Sequence, residues 1–225
     1  MKHNPVKQIT FSDSKLKSIF FIELNWLCQQ IIEKSSTLFS QHLVVENRFY
    51  ISANLEALDL VYSILSCASK IQEMTVTNQK QKRHIERADY FKTLLYDLNI
   101  QEMFNKKVRN TVEHFAEYLD ETNEKHTLYK NEDSYSVAFN LVFSDWQPIN
   151  DANIPFTLYR IQQFEYPIYP IRIYIARERR FYNMDWSISI ENLSKEARQI
   201  QELLLNRKYI NSEKASDYVS MMFKY

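Results

Sequence analysis

The sequence predicts a mainly α-helical protein that is α+β overall, a helical bundle with a small antiparallel β insertion before the last helices. Apolar residues at helical spacing run through the first 125 residues, residues 126–190 are rich in β-branched and aromatic residues, and helical spacing then returns. The chain has 225 residues, of which 45% are hydrophobic, so it can fill one sizeable core. We therefore expect a single domain, residues 1–225, with residues 126–190 as a β-rich insertion within it.

Four long helices are expected before the insertion, each indicated by apolar residues that recur every three or four positions. The link between the first two helices, residues 36–52, is compatible with a short strand or a helical connector and stays unassigned. In chain order the helices are predicted over residues 13–35, with Ser12 or Asp13 as the N-cap, and over residues 54–74, 80–99 and about 101–123.

Short segments within the insertion alternate or cluster β-branched and aromatic residues between prolines, which favours antiparallel strands. Residues 181–190 are typical of a hairpin that turns at Asn183, Met184 and Asp185, a way to make a tight connection without glycine. Ser194 is the expected N-cap of the helix that follows. A short final helix is expected over residues 212–223.

The absence of glycine is the most unusual feature of the composition, because average usage would give about 16 in a chain of this length. It excludes glycine-dependent phosphate loops, dinucleotide-binding turns and nucleophile elbows, so we expect no cofactor. The histidines and the two cysteines lack metal-ligand spacing, and no metal site is expected. Basic and acidic residues both number 28, so any contact with nucleic acid requires a local patch.

The segment KVRNTVEHFAEYLD, residues 107–120, is predicted to be a helix with one apolar face and one functional polar face. At 100° per residue, its apolar residues fall within a narrow arc that should face a core, namely Val108, Val112, Phe115 and Leu119. Polar residues form two i,i+4 pairs elsewhere on the helix, Arg109 with Glu113 and Asn110 with His114. The exposed flank therefore displays a cation, an imidazole, an amide and a carboxylate.

The residues Arg109-Asn110-Thr111-Val112-Glu113-His114 resemble the signature of the HEPN superfamily, an arginine followed by a polar residue and, after a short spacer, a histidine. RNTVEHFAEYLD also resembles the RN-x-x-EHF-x-E-x-LD form of a group of uncharacterised bacterial members. The resemblance is specific over these residues and architectural over the rest of the helical chain. It implies a HEPN-like bundle and, as is common in that superfamily, a metal-independent endoribonuclease in which the motif helices of two subunits meet.

The resemblance assigns Arg109 and His114 as the catalytic pair, with Asn110 as the supporting polar residue. Attack of a ribose 2′-OH on the neighbouring phosphate needs a proton acceptor, a proton donor and positive charge at the phosphate, which histidine and arginine can supply. Glu113 either orients one of these groups or is an ordinary surface partner. Because Arg109 and His114 lie about 140° apart around one helix, the hypothesis requires a homodimer through the motif helix.

Two basic clusters are candidates for RNA-phosphate contacts. Each has an ordinary alternative, since a basic cluster is also typical of a solvated helix face, and the aromatic residues of the insertion are also typical of a core. The first cluster opens the third helix and contains Lys80, Lys82, Arg83 and Arg87; the second lies in the insertion and contains Arg172, Arg177, Arg179 and Arg180.

Three functions are compatible with these patterns. The first is a HEPN-like endoribonuclease of toxin-antitoxin or antiviral defence, with RNA as substrate and an antitoxin or other regulatory protein as partner. The second is a catalytically silent HEPN-like RNA-binding or regulatory module. The third is a structural module whose insertion docks a protein. The apolar runs are shorter than the roughly 20 residues that a membrane span requires, and the N-terminal segment lacks an apolar leader, so we expect a cytoplasmic protein without a membrane partner.

Overall fold

The computed structural model describes residues 17–41, 43–44, 51–77, 80–128, 134–149, 151, 154–161 and 164–213. Within these ranges the chain forms six helices and seven strands, so its class is α+β, as the sequence predicts. The helices are α1 (Lys17–Ser40), α2 (Leu55–Thr75), α3 (Lys82–Leu94), α4 (Lys106–Glu113), α5 (Phe115–Leu128) and α6 (Ile190–Asn206). The strands are β1 (Ile51–Ser52), β2 (Ser136–Phe143), β3 (Gln147–Ile149), β4 (Leu158–Arg160), β5 (Ile168–Ile175), β6 (Arg180–Asn183) and β7 (Trp186–Ser189).

Helices α1, α2 and α6 pack together and form most of the helical layer. The face of α1 that carries Leu24, Leu27 and Ile31 is fully buried, as the helical spacing of these residues predicts. Helix α2 begins where Asn54 caps it, because the Asn54 side chain accepts a hydrogen bond from the backbone N–H of Ala57 at 2.9 Å. The N-cap predicted for α1 lies outside the described residues. None of the helices within the described ranges is long and apolar enough to cross a lipid bilayer.

The strands form one mixed sheet, which corrects the prediction of an antiparallel one. Its main path runs β1-β2-β5-β4-β3, and the β6–β7 hairpin extends from β5. Strands β2 and β5 are parallel, with Phe139 opposite Ile171 and Phe143 opposite Ile175. The prediction is wrong for this pair because residues 144–167, which include β3 and β4, return the chain to the end of the sheet where β2 began.

The β6–β7 hairpin confirms the predicted turn. Asn183 pairs with Trp186, so Met184 and Asp185 form a two-residue connection, in which Met184 has a φ of 55°. Two-residue hairpin turns require positive φ, and a chain without glycine must place a residue with a side chain there. The described residues with positive φ are Asn140, Arg172, Arg179, Met184 and Lys208.

The sheet packs against the helical layer through large buried side chains. Tyr174 and Phe181 belong to the same buried cluster as the apolar faces of α1, α2 and α6, and the ring of Phe181 lies 5.9 Å from that of Tyr62 on α2. A second cluster within the sheet surrounds Trp146, whose ring stacks on Tyr159 at 3.9 Å. The β-rich segment is therefore joined to the helices by a shared core.

The two ends of the β-rich segment differ from the prediction. Helix α6 begins at Ile190, because the hydroxyl of Ser189 accepts a hydrogen bond from the backbone N–H of Asn192 at 3.1 Å and caps the helix. Ser194, the predicted N-cap, is buried inside α6. At the other end, α5 continues to Leu128, beyond the predicted start of the β-rich segment at residue 126. The strands of this segment lie between Ser136 and Ser189. Most of the predicted final helix lies outside the described residues.

Candidate functional site

The motif segment is two helices and not one, which corrects the prediction of a continuous helix over about residues 101–123. Helix α4 begins after Asn105, whose side chain accepts a hydrogen bond from the backbone N–H of Lys107 at 3.2 Å, and ends at Glu113. His114 is its C-cap, with φ −106° and ψ 43°, and its N–H donates to the carbonyl of Asn110 at 2.8 Å. Helix α5 then starts at Phe115. The histidine of the motif therefore stands at the break between two helices.

The break divides the single apolar face that helical spacing predicts. Val108 is fully buried in the cluster of the helical layer, and Val112 packs beside it. Phe115 and Leu119 pack instead against a cluster on the sheet that includes Tyr169. The two parts of the predicted apolar face therefore pack on different clusters, one on each side of the break at His114.

Arg109 points into the protein. Its side chain is 2% exposed, and Nη2 donates a hydrogen bond to Oε1 of Gln72 on α2 at 2.6 Å. Nε and Nη1 are buried and have no hydrogen-bond partner among the residues that the structure describes. Burial lowers the pKa of Arg109 to about 10, and the nearby carboxylates of Glu113 and Glu73 oppose this shift. The guanidinium is therefore charged at neutral pH, buried, and bonded to a neutral amide.

His114 points away from the core. Its side chain is 57% exposed, and its Nδ1 lies 3.7 Å from Oε2 of Glu117, a separation that forms an ion pair when the imidazole is protonated. Asn110 is half-buried, and Glu113 is exposed and accepts a hydrogen bond from Oγ of Ser69 on α2 at 3.2 Å. Within one chain the structure therefore does not bring Arg109 and His114 to a common point. Glu113 contacts α2, and the carboxylate nearest His114 is Glu117, which the sequence did not single out.

A buried hydrogen-bonded bridge fastens α4 to the sheet. Asn183 donates from Nδ2 to Oγ1 of Thr111 at 2.9 Å, and its Oδ1 accepts from the backbone N–H of Arg172 at 3.1 Å. Thr111 in turn donates to the carbonyl of Val108 at 2.6 Å. Asn183 carries a turn signal in the sequence, but nothing in the local pattern indicates its partner Thr111. The bridge places Arg172 of β5 next to the break between α4 and α5.

The basic cluster at the start of the third helix is mostly exposed. Lys80, Lys82 and Arg83 lie at the surface, and Lys82 pairs with Glu86 at 3.7 Å. Arg87 is half-buried, and its Nη2 lies 3.4 Å from the carbonyl of Glu73. The ion pair of Lys82 is typical of a solvated helix face, and the position of Arg87 indicates a packing role. Lys80 and Arg83 are exposed.

The arginines of the segment ARERR are engaged with carboxylates. The three carboxylates lie in different parts of the fold, so the three arginines do not gather around one common group at the surface. Arg177 pairs with Asp145 at 3.2 Å, Arg179 with Glu191 at 3.0 Å and Arg180 with Glu102 at 3.9 Å. An RNA phosphate would have to compete with these ion pairs.

In the part of the chain that the structure describes, no group of three or more histidine, cysteine, aspartate or glutamate side chains is arranged to hold a metal ion. The chain matches no protein-family model, no curated protein and no solved structure at a significant level. The resemblance to the HEPN superfamily therefore depends on residues 109–120 and on the helical architecture around them.

Proposed function

We propose that the chain is a HEPN-like, metal-independent endoribonuclease that acts as a homodimer, with His114 as its proton-transfer group. The observation that carries the proposal is the placement of the motif histidine. Its imidazole is exposed at the break between two helices, beside the carboxylate of Glu117. A group that transfers protons to and from RNA must be accessible, and the exposed imidazole of His114 satisfies this condition.

The proposed reaction is cleavage by the neighbouring ribose. An imidazole takes the proton of the 2′-OH as this oxygen forms a bond to phosphorus, and the bond from phosphorus to the 5′-oxygen breaks. A protonated imidazole gives its proton to that leaving oxygen, so the products are a 2′,3′-cyclic phosphate and a 5′-hydroxyl. In the homodimer His114 of each subunit supplies one of these two imidazoles. The carboxylate of Glu117, 3.7 Å from Nδ1, is placed to pair with a protonated imidazole.

Arg109 has a positioning role in this proposal. With 2% of its surface exposed and its guanidinium bonded to Gln72, it holds α4 against α2 and so sets the place where α4 ends. This differs from the role of phosphate-binding cation that the family resemblance implies. Asn110 is half-buried one turn before His114, and its carbonyl fixes the backbone of that residue.

Cleavage of labelled single-stranded RNA in the presence of EDTA tests the activity. We expect the wild-type protein to cleave and His114→Ala to be at least about a hundredfold slower, since a positioned acid or base contributes about that much or more. The matched control is His84→Ala on α3, which should cleave like the wild type. Cleavage by His114→Ala at the wild-type rate, or cleavage that EDTA abolishes, contradicts the proposal.

The homodimer requires a separate measurement. Ala116 is exposed at the second position of α5, so Ala116→Arg should disturb a contact between the motif helices of two subunits. We expect light scattering to show a dimer for the wild type, and this variant to be monomeric and slow in cleavage. Gln199→Arg, at an exposed position of α6, is the control. A monomeric wild-type protein that cleaves RNA refutes the shared site.

A second candidate, the catalytically silent RNA-binding or regulatory module, is favoured by the burial of Arg109. A catalytic arginine that contacts no solvent cannot reach a phosphate without a rearrangement of α4. Tight RNA binding by the wild type without any cleavage identifies this candidate. Growth arrest of a bacterial host that expresses the wild type, relieved by His114→Ala, would favour the nuclease and a role in defence, for which an antitoxin or regulatory protein is the proposed partner.

A further inference from the structure

Arg172 lies where β5 meets the break between α4 and α5. Its φ is 58°, and its backbone N–H is held by Asn183. The guanidinium carbon is 3.8 Å from the centre of the Phe115 ring, which is the stacking distance of a cation on an aromatic face. The same carbon is 5.9 Å from the ring centres of Phe139 and Tyr62. Since Phe115 directly follows His114, this group of residues begins one position from the proposed proton-transfer residue.

Among the described residues, Nε of Arg172 is buried without a hydrogen-bond partner. Unlike Arg177, Arg179 and Arg180, Arg172 makes no ion pair with any residue that the structure describes. Arg172 as a whole is half-buried, so part of its side chain is accessible from solvent. A half-buried cation without a carboxylate partner is complementary to an anionic oxygen.

An exposed aromatic surface adjoins this arginine. Phe139 on β2 is 50% exposed, and its ring centre lies 6.3 Å from that of Phe115. Strand β1 pairs only with Val142 and Phe143, so in the described part of the chain residues 136–141 have no neighbouring strand on that side. A flat, half-exposed ring beside an unpaired cation is the combination on which unpaired nucleotides stack.

We propose that Arg172 forms a phosphodiester-binding subsite for single-stranded RNA, with Phe139 as the platform on which the adjacent base stacks. The inference rests on the proposed function and deepens it, because it defines the substrate as unpaired RNA that passes over the α4–α5 break. The subsite supplies a positive charge beside Phe115, the residue that follows His114, a charge that the buried Arg109 does not provide. Stacking on Phe115 leaves the edge of the Arg172 guanidinium to bind a phosphate oxygen. A paired base could not stack on Phe139, so duplex RNA is excluded from the subsite.

Binding is measured in a His114→Ala background so that the RNA stays intact. Fluorescence anisotropy with a short labelled single-stranded RNA reports the Kd at several salt concentrations. We expect Arg172→Gln to weaken binding about tenfold or more and to reduce the slope of log K against log salt by about 0.7, the value for one lost phosphate contact on a single strand. Phe139→Ala should weaken binding at least about fivefold.

The controls are an arginine and an aromatic residue outside the subsite. Arg198→Gln removes an exposed arginine of α6, and Tyr96→Ala removes a ring that is 81% exposed. Both should bind like the parent, and a duplex of the same sequence should bind more weakly than the single strand. Arg172→Gln loses a stacked side chain, so its melting temperature is recorded. If this variant does not fold, Phe139→Ala, a change at a half-exposed position, decides the question.

The outcomes separate the subsite from the nuclease. If the wild type cleaves in a His114-dependent way but both Arg172→Gln and Phe139→Ala bind RNA like the parent, only the subsite is refuted. If both variants bind more weakly but His114→Ala still cleaves, the subsite stands and the proposed function falls. If Phe139→Ala changes the oligomeric state and leaves RNA affinity unchanged, the surface is an interface between copies of the chain, which also overturns the inference.

Discussion

At the scale of single residues, His126 shows how α5 is attached to the sheet. Its ring stacks on Phe156 at 3.9 Å, and its Nδ1 lies 2.5 Å from the hydroxyl of Tyr135. Its Nε2 is buried and has no hydrogen-bond partner in the described part of the chain. Burial lowers the pKa of His126, a shift that Asp185 opposes and Lys125 reinforces. The imidazole is therefore held in its neutral form by the packing around it.

This environment makes the stability depend on pH. In the unfolded chain His126 gains a proton near pH 6.5, whereas in the folded chain it does so at lower pH. Between these two pKa values the unfolded state binds more protons, so the free energy of unfolding falls as the pH decreases from about 6.5. His126→Phe keeps the stacked ring and removes the titration. Urea unfolding at about pH 7.5 and pH 5.5 should show a smaller loss for this variant than for the wild type.

The control for the pH experiment is His84→Phe on α3, which should retain the full loss of stability at low pH. Equal losses in His126→Phe and the wild type would show that the imidazole of His126 is not the group responsible.

The spacing of residues in the motif predicts only part of the motif's structure. Helical spacing correctly places Val108 in the helical core and Phe115 at a buried contact. It also correctly predicts that the side chains of Arg109 and His114 do not meet at one point within a single chain. Spacing cannot predict that Arg109 is the buried member of the pair, because that depends on Gln72, which is 37 positions away in the sequence. An arginine in a helix is normally assigned to the surface.

At the scale of elements, Glu196 fixes the approach to α4. Its carboxylate lies on α6, is 6% exposed, and accepts hydrogen bonds from three consecutive backbone N–H groups, those of Gln101, Glu102 and Met103, at 2.6 to 2.9 Å. Burial raises the pKa of Glu196, and the three hydrogen bonds oppose this shift. The loop that leads into the motif helix is therefore held by a side chain from the last described helix.

Glu196→Gln should weaken this attachment. An amide offers one acceptor oxygen, and its NH₂ group would face backbone donors, so buried N–H groups lose their partners. We expect the free energy of unfolding to fall by about 2–4 kcal/mol, measured by urea unfolding. Glu202→Gln, at an exposed position of the same helix, should change it by less than about 0.5 kcal/mol. Similar losses for the two variants would contradict the anchoring role of Glu196.

The elements themselves were predictable where the signals were local. Helix α2 begins at Leu55, one residue after its predicted start, and the β6–β7 hairpin turns at Met184 and Asp185, within the predicted turn. The parallel pairing of β2 with β5 and the break at His114 were not predicted. Both depend on contacts between distant segments, because the sheet decides on which layer Phe115 packs.

At the scale of the whole molecule, the helices and the sheet share one core. Phe181 on β6 is fully buried in the cluster that contains the apolar faces of α1, α2 and α6. Its ring meets that of Tyr62 edge to face at an interplanar angle of 84°. A protein built in this way should unfold in a single transition, because neither layer can lose the other without exposing its apolar face.

Phe181→Ala should therefore destabilise both layers together. We expect a loss of about 3–5 kcal/mol, the usual range for truncation of a buried phenylalanine. In a Trp26→Phe background, fluorescence reports on Trp146 and Trp186 of the sheet, and far-UV circular dichroism reports mainly on the helices. The two urea transitions should coincide before and after the substitution. A fluorescence transition that shifts while the helical signal stays in place would indicate two independent domains.

The break at His114 also has a consequence for the order of folding. Val108 of α4 packs in the cluster of the helical layer, whereas Phe115 of α5 packs on the sheet, whose central parallel pair forms only after residues 144–167 have been placed. Contacts between distant segments form later than local ones, because closing a longer loop loses more entropy. We therefore expect Phe115 to dock after Val108. A nascent or partly folded chain would then lack the break between α4 and α5 at which His114 is exposed. The proposed nuclease would therefore be inactive until the sheet has formed.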